Sequence, residues 1–251
     1  MSRVPKPKFE MGELAGCPVC GRAKPFWKQL LVCHAPYYEK KVTGIEYVPY
    51  WICQCGMMFQ PIVIKDQEAY YRKIYRTTLE GSTDEVVEHG AEKDRAHRLI
   101  EVCLEVVPEI NRALDVGSAS GYFLNKLHSV YDCIIQGVEI ADNYREHANA
   151  HDIPTVESMN KVEGTFDFLS IIHTLEHQLN PVQMLRAMMD HATSNSTFLI
   201  EVPFFNFRLN HPLLFSYSNL EMILNVVGLE VIRVAPGIEE LTMFAKKRKL
   251  V

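Results

Sequence analysis

Histidine and glutamate side chains lie close together in FDFLSIIHTLEHQLNP at residues 166–181, where His173, Glu176 and His177 form the pattern H-x-x-E-H. Certain peptidases bind zinc with two histidines at this spacing, while the glutamate polarises a water molecule. The same side chains can serve other reactions, because an imidazole titrates near neutral pH and can accept a proton as a general base. The elements that position the motif decide between these chemistries.

The segment before the motif, FDFLSII, predicts a strand that runs directly into His173. Asn180-Pro181 then interrupts the chain soon after the motif. A zinc peptidase holds both histidines on one face of a regular helix, and this stretch leaves little room for one. A metallopeptidase is therefore the less favoured interpretation.

Predicted strands and helices alternate from residue 112 onward. The strands are RALDVG, CIIQGVEI, IPTVE, FDFLSII and STFLIEVP, and the helices are YFLNKLHSV, ADNYREHANAHD, PVQMLRAMMDHA and SYSNLEMILNVVG. A final pair, LEVIRVAP and LTMFAKK, is joined by a Pro-Gly turn. This alternation predicts an α/β fold with a doubly wound, mostly parallel sheet, in which ligands bind at the carboxyl ends of the strands.

The turn after the first of these strands, LDVGSASGYF, has the features of a nucleoside site. Gly117 and Gly121 allow a tight turn and a close approach of the backbone, and Ser118 and Ser120 add donors. A dinucleotide site reads G-x-G-x-x-G, whereas this turn reads G-x-A-x-G. Glu139, at the end of the next strand, is placed to accept hydrogen bonds from ribose hydroxyls.

Asp115 indicates which nucleoside the turn binds. A carboxylate aimed at the turn repels a pyrophosphate, which disfavours an NAD-dependent oxidoreductase. S-adenosylmethionine, in contrast, carries an ammonium and a sulfonium, both cationic. The acidic residue therefore favours S-adenosylmethionine.

The cysteines predict a metal site in the N-terminal part. The chain has seven cysteines, and four of them form two close pairs, Cys17 and Cys20 in CPVCG and Cys53 and Cys55 in CQCG. Two such pairs around a predicted hairpin in YEKKVTGIEYVPYWIC are typical of a closed, structural zinc ribbon. Ordinary buried cysteines are the alternative. If the short C-x-C pair fails to supply two ligands, Cys33 or His34 could substitute.

Composition bounds the class of protein. The chain has 251 residues, 47% of them hydrophobic, and a net charge of −5, so we expect a globular protein for which nucleic acid is not the expected partner. No apolar run approaches the roughly 20 residues of a membrane helix, and the N-terminus lacks a signal-peptide pattern, which predicts a cytoplasmic protein without a membrane partner. The oligomeric state cannot be read from the sequence.

Three regions follow from these patterns: a zinc-ribbon-like segment at 1–65, a helical linker at 66–90, and the α/β domain at 91–251. The linker helix is interrupted near Gly81, and Tyr70, Tyr71 and Tyr75 are expected to pack together or to cover a pocket. The following helix carries an apolar stripe that we expect to cover the sheet: Ala96, Leu99, Ile100, Cys103, Leu104, Val106 and Val107.

The motifs CPVCG, CQCGMMFQP, YYRKIY, LDVGSASGYFL, GVEI, FDFLSIIHTLEHQLNP and HPLLFSYSNLEMILNVVGLEV together resemble a known family. It is the class I S-adenosylmethionine-dependent methyltransferases, specifically the group with an N-terminal zinc-ribbon-like segment that also resembles the ubiquinone-biosynthesis type. The resemblance implies a Rossmann-like, seven-stranded sheet with an antiparallel last strand. Two departures are Ala119, where the family usually has glycine, and the short second cysteine pair.

The resemblance also implies roles for individual residues. HTLEH falls in the turn after the fourth strand, beside the transferable methyl group, which gives His173, Glu176 and His177 as catalytic candidates. His173 is the first candidate base, and Glu176 and His177 either orient it or form a structural pair that closes the loop. In ubiquinone-type relatives, residues at these places are associated with substrate or a divalent cation. His211 is a second candidate base. The residues expected to bind S-adenosylmethionine are Asp115, Gly117, Ser118, Ala119, Gly121, Glu139 and Ile140.

The expected function is methyl transfer to a small-molecule acceptor, by analogy a sugar or a polysaccharide precursor. A noncatalytic nucleoside-binding module of the same fold is the alternative from a different class. Only turnover separates the two, because both would bind the cofactor.

Overall fold

A computed structural model describes residues 10–35, 45–72, 90–235, 237 and 239–248 of the chain. The N-terminal part contains five strands: β1 Met11–Glu13, β2 Trp27–His34, β3 Tyr47–Cys53, β4 Met58–Phe59 and β5 Ile62–Ile64. Strands β2 and β3 pair antiparallel, and β1 pairs with β5. The predicted β segment is therefore present, although residues 36–44, which include the start of the predicted hairpin YEKKVTGIEYVPYWIC, lie outside the described residues.

The remaining strands are β6 Arg112–Val116, β7 Ile134–Val138, β8 Thr155–Val156, β9 Phe166–Ile172, β10 Ala192–Pro203, β11 Leu213–Leu214, β12 Leu229–Ala235 and β13 Glu240–Lys247. Seven of them form one sheet in the order β12-β13-β10-β9-β6-β7-β8. Strand β13 is antiparallel to both neighbours, and the pairs from β10 to β8 are parallel. This topology confirms the doubly wound fold and the antiparallel last strand.

The described helices are α1 Gln67–Tyr70, α2 Gly90–Val106, α3 Tyr122–Tyr131, α4 Asp142–Ala150, α5 Pro181–Asp190 and α6 Tyr217–Val226. Local signals explain two of the starts. Asn180 caps α5 ahead of Pro181, and Ser216 forms a capping box with Asn219 at the start of α6. These caps fix where the loops of the site end.

The central strands bury both of their faces, as expected for a parallel sheet covered by helices. Along β6 and β9, neighbouring residues enter different cores. Ala113 and Phe168 pack with α2 and α3, whereas Leu114 and Leu169 pack with α5 and α6. The sheet is thus a rigid platform whose strand ends carry the polar side chains of the site.

The N-terminal segment packs into the same core as the sheet. Trp27, Met57 and Phe59 belong to the cluster that contains α5 and α6, and β11, which follows β10 in the chain, pairs with β4. This pairing makes β11-β4-β3-β2 a four-stranded sheet built from both ends of the chain. The division at residues 65 and 90 stays a prediction, because the two parts share a core and a sheet.

Several expected elements differ in detail. Leu104 is 56% exposed, because it lies about 100° around the helix from Cys103, so its place in the apolar stripe of α2 was wrong. The strand predicted over IPTVE shortens to β8 at the edge of the sheet, and β10 begins earlier than predicted, at Ala192. Tyr75, most of the predicted linker helix and Pro236 lie outside the described residues.

No helix in the described ranges combines the length and the apolar character that crossing a bilayer requires.

Candidate functional site

The predicted site residues converge because they follow neighbouring parallel strands. Glu139 follows β7, Asp115 lies near the end of β6, and His173 follows β9. They line one cavity of about 920 Å³. The cavity also reaches residues of α1, α2 and the loop after β10. It is therefore large enough for a nucleoside and a second ligand.

The glycine turn closes tightly against the loop after β9. Gly117 has φ +80°, and a Cβ on it would lie 2.0 Å from Oγ1 of Thr174, so only glycine fits. Its N–H and that of Ser118 donate to the carbonyl of Val138, which ties the turn to β7. Gly121, also at φ +80°, starts α3 and does not line the cavity. The backbone at Gly117 is therefore exposed to a ligand at close range.

Ala119 occupies a conformation that favours glycine, with φ +47°. A left-handed conformation of this kind costs a residue with a Cβ of order 1 kcal/mol. The N–H of Ala119 donates to Oε2 of Glu139 at 2.9 Å, which helps to hold the turn in this conformation. Although the family usually has glycine at this position, Ala119 keeps the left-handed backbone conformation that glycine favours.

Asp115 is buried at the floor of the cavity, with 3% of its surface exposed. Burial raises the pKa of this carboxyl group to about 7; the hydrogen bond from Ser170, at 2.7 Å, lowers it, and the charge of Glu139 raises it. A buried carboxylate without a cation is costly, so a positively charged ligand would favour its ionised form. This environment fits the ammonium group of S-adenosylmethionine.

Glu139 is buried and both of its oxygens accept backbone hydrogen bonds. Oε1 accepts from the N–H of Ala141 at 2.8 Å, and Oε2 accepts from Ala119. A carboxylate has about four lone-pair positions, so acceptors remain for the ribose hydroxyls that the sequence predicts. Ser118, whose buried Oγ has no partner, and Ile140 line the same wall. The cofactor roles of these residues stay predictions.

HTLEH forms a loop rather than the helix of a peptidase. His173 has φ +47°, and residues Leu175–His177 form a single 3₁₀ turn. The backbone N–H of His173 donates to the carbonyl of Glu201 at 2.9 Å, which fastens the loop to β10. The side chains of His173 and His177 both face Glu176, each with a ring nitrogen 3.8 Å from its Oε1. The geometry disfavours the metallopeptidase interpretation.

Glu176, His177 and His211 form a group that could hold a metal ion, with ligand atoms within 4.8 Å of one another. Nδ1–H of His177 donates to the carbonyl of Asn210 at 2.6 Å, and that of His211 donates to Asn206 at 3.1 Å, so both rings present Nε2 as an acceptor. Burial lowers the pKa of His211, as does the nearby His177. Glu176 is 1% exposed, and neither of its carboxylate oxygens has a hydrogen-bond partner.

The N-terminal segment supports this part of the cavity. Nε2 of Gln60 donates to the carbonyls of Arg208 and His211, at 2.6 and 2.9 Å, and the hydroxyl of Tyr50 also lies within 3.1 Å of both carbonyls. Tyr71 donates to the carbonyl of Asn210 beside His177. The segment therefore supports the loop that brings Arg208 and His211 to the wall of the cavity.

Sequence reasoning missed a charged cluster at the end of β10. Glu201 is fully buried, accepts from Arg98 at 2.8 Å and from Thr242, and lies 3.6 Å from Nε2 of His173. Burial would raise the pKa of Glu201, but interactions with His173, Thr242 and Arg98 lower it. A single glutamate in the apolar run STFLIEVP was the available signal, because a lone charge in a buried strand needs partners.

The side chains of the four cysteines that were predicted to bind a metal lie close together. Sγ of Cys17 lies 3.7 Å from that of Cys55, and Sγ of Cys20 lies 3.6 Å from that of Cys53. All four sulfur atoms lie within 4.8 Å of one another, so they fit one tetrahedral ion. Cys33 and His34 lie on β2, outside this group. The short C-x-C pair can therefore supply both of its ligands.

A family model described as a methyltransferase domain matches residues 87–234. Because the match spans more than half of the sequence, the chain belongs to this methyltransferase family. The expected class of enzyme is thereby confirmed. No curated protein matches the sequence.

Solved structures share the fold at low identity. One is an S-adenosylmethionine-dependent methyltransferase from Clostridium acetobutylicum (TM-score 0.54, 11% identity, covering 70% of this chain and 97% of that one). Another is magnesium protoporphyrin IX methyltransferase from Synechocystis with bound S-adenosylhomocysteine (TM-score 0.55, 11% identity, covering 72% of this chain and 97% of that one). A third comes from a complex between the Haloferax volcanii Trm112 methyltransferase activator and a methyltransferase (TM-score 0.54, 13% identity, covering 63% of this chain and 93% of that one). At these identities the likeness shows the fold alone, and it confirms the class I sheet.

Proposed function

We propose that this chain binds S-adenosylmethionine in the cleft and transfers its methyl group to a small polar molecule. The observation that carries the proposal is the glycine turn with Asp115 buried beneath it and Glu139 on the neighbouring strand. A buried carboxylate with a pKa near 7 favours a cationic ligand, and Gly117 lets that ligand touch the backbone. Membership of a methyltransferase family supports the same ligand.

The bound cofactor would supply an electrophilic methyl group on a good leaving group, so the protein mainly has to align the acceptor. Holding the reacting atoms roughly 3 to 3.5 Å apart accounts for much of the acceleration in such reactions. An acceptor hydroxyl or amine also needs a base. His173 borders the cavity and lies between Glu176 and Glu201, which would stabilise the protonated ring.

The acceptor is proposed to be a polyhydroxylated small molecule such as a sugar. Part of the cavity is lined by hydrogen-bonding side chains from the loops after β9 and β10 and from the first turn of α5: Gln178, Asn180, Gln183, Asn206, Arg208 and His211. Several neutral donors and acceptors together suit hydroxyl groups better than an apolar ring. A macromolecular acceptor is the alternative. An activator protein, as in the Haloferax volcanii complex, would be a partner of the enzyme and not its acceptor.

Replacing His173 by alanine tests the base. We expect the rate of methyl transfer at saturating acceptor to fall roughly 100- to 10,000-fold, the usual contribution of a general base. Affinity for S-adenosylhomocysteine should change little, because the imidazole acts on the acceptor. The measurement is transfer of labelled methyl from S-adenosylmethionine to a panel of sugars and sugar nucleotides. Near-wild-type turnover in the variant contradicts the assignment. Absence of turnover by the wild-type protein with every acceptor favours the noncatalytic module.

The four cysteines are proposed to hold a structural zinc ion. Burial raises the pKa of Cys55 to about 11, and Cys20 and Cys53 also raise it while Cys17 lowers it, so its thiolate requires a cation. A closed shell of four sulfur ligands leaves no position for substrate. The ion would therefore stabilise the N-terminal segment, which in turn supports the acceptor side of the cleft.

A second role for HTLEH is to bind a divalent cation through Glu176, His177 and His211. The observation that favours it is the buried carboxylate of Glu176, which lacks hydrogen-bond partners while two Nε2 acceptors face it. Such a cation could orient acceptor hydroxyls.

Cobalt substitution tests this second site, because thiolate ligands give intense charge-transfer bands that histidine and carboxylate ligands lack. We expect the protein to bind a second cobalt ion that does not give those bands. Glu176→Gln should lower the affinity of this second site for cobalt at least tenfold and leave the thiolate-bound ion in place. Gln183→Ala, on the same cavity wall, is the control. Unchanged cobalt binding in Glu176→Gln rules out this role.

A further inference from the structure

The loop after β10 carries an arginine that has no counter-charge. Arg208 is half-buried and is one of the residues that line the cavity. Elsewhere in the protein, Arg72 and Arg98 form ion pairs with Asp142 and Glu201, respectively. Within the ranges that the structure describes, no carboxylate forms such a pair with Arg208. Its positive charge is therefore available to a ligand.

A neighbour on the same loop orients the side chain of Arg208. Its Nε donates to Oδ1 of Asn206 at 3.0 Å. The terminal nitrogens carry the remaining N–H donors of the guanidinium group. They are accessible, and no described residue accepts a hydrogen bond from them. Such a planar fork of donors matches the paired oxygens of a phosphate or a carboxylate.

Two polar side chains of the N-terminal segment hold the backbone of Arg208. The hydroxyl of Tyr50 accepts from the N–H of Arg208 at 3.0 Å and lies 2.7 Å from its carbonyl oxygen. Nε2 of Gln60 donates to that carbonyl at 2.6 Å. Both Tyr50 and Gln60 are fully buried, so these hydrogen bonds are shielded from water. A binding group that is already held in place loses less conformational entropy when its ligand arrives.

We infer that Arg208 binds an anionic group of the acceptor, either a phosphate or a carboxylate. The inference rests on the proposed function and deepens it, because it narrows the acceptor from a sugar to a negatively charged sugar derivative. Most of the other charged residues that line the cavity are acidic. An anionic group is therefore favoured at Arg208 and disfavoured at other places on the wall, which gives the acceptor one preferred orientation.

Titration with four sugar probes, followed by NMR without added divalent cations, tests the inference. The probes are glucose, glucose 1-phosphate, glucuronic acid and UDP-glucose. We expect the wild-type protein to bind at least one anionic probe roughly 10- to 100-fold more tightly than glucose, as for a hydrogen bond to a charged group. Preference for glucuronic acid indicates a carboxylate, preference for both phosphorylated probes indicates a phosphate, and preference for UDP-glucose alone indicates a nucleoside diphosphate.

Replacements of Arg208 test whether this residue causes the preference. Arg208→Gln should remove most of it by weakening only the anionic probe. Arg208→Lys should retain part of it, because the charge remains without the planar donors. Arg233→Gln is the matched control, since Arg233 lies on the edge strand β12 and does not line the cavity. This control should keep the wild-type preference.

A wild-type protein that binds no anionic probe more tightly than glucose overturns the inference, even if a variant fails to fold. An unchanged preference in Arg208→Gln overturns it as well, because the anion would then bind elsewhere. Titration of the same samples with S-adenosylhomocysteine separates this inference from the proposed function. If S-adenosylhomocysteine binds but no anionic probe is preferred, only the role of Arg208 is wrong. If the preference depends on Arg208 but S-adenosylhomocysteine does not bind, the proposed cofactor is wrong and the anion site stands.

Discussion

Asp115→Asn is expected to lower the affinity of the protein for S-adenosylmethionine roughly 10- to 100-fold at pH 8, measured by calorimetric titration. The reason is the loss of the negative charge that faces the cationic ligand, while the shape of the side chain is kept. Ser170 can still donate to the amide oxygen of asparagine, so the fold should be little affected. Asp132→Asn, at an exposed left-handed position after α3, is the control and should bind normally.

The same carboxylate predicts how binding depends on pH. Burial raises the pKa of Asp115 to about 7 in the free protein, and a bound cation favours the ionised form. Affinity should therefore be constant above about pH 8 and fall as the pH drops below 7, because protons compete with the ligand. Asp115→Asn should flatten this profile. Wild-type affinity that does not change between pH 8 and pH 5.5 contradicts the assigned role of the carboxylate.

Cys17→Ser is expected to abolish the zinc site and to destabilise the N-terminal segment. Zinc measured by elemental analysis should fall from about one ion per chain to none. Loss of several kcal/mol of metal-linked stability should lower Tm by roughly 10 °C. Cys33→Ser is the matched control, because Cys33 lies on β2 outside the cluster and should leave both quantities unchanged.

The expected effect of Cys17→Ser on function is selective. Tyr50 and Gln60 hold the loop that carries Arg208 and His211, so disorder in the segment should impair the acceptor side. The glycine turn is fastened to β7 and the loop after β9, so S-adenosylhomocysteine should still bind. A wild-type protein that contains no zinc after purification argues against a structural ion, as does a Cys17→Ser protein of unchanged Tm.

Local patterns allowed the main sheet and the glycine turn to be predicted from the sequence. Alternation of apolar strands and amphipathic helices repeats with a regular period, and both the special backbone at Gly117 and the carboxylate of Asp115 lie within one short motif. Parallel topology then places the residues after β6, β7 and β9 at one edge. The cysteine pairs were also recognisable, because metal ligands come in short spacings.

Contacts between distant parts of the chain could not be predicted in this way. The pairing of β4 with β11 joins segments far apart in sequence, and neither strand is longer than two residues. Arg98 forms an ion pair with Glu201, and the ring of His211 contacts that of His177, only because the fold brings their elements together. No local spacing encodes these contacts, so the pairing of Arg98 with Glu201 and of His211 with His177 was visible only in the structure.

The central claim is that the cleft recognises the cationic nucleoside S-adenosylmethionine. Calorimetric titration of the purified protein with S-adenosylmethionine, S-adenosylhomocysteine and NAD tests it most directly. We predict that the first two bind with one site per chain, that NAD does not bind because its pyrophosphate faces Asp115, and that Asp115→Asn weakens both ligands. Binding of NAD in preference to them, or no binding of either methionine derivative, would contradict the claim.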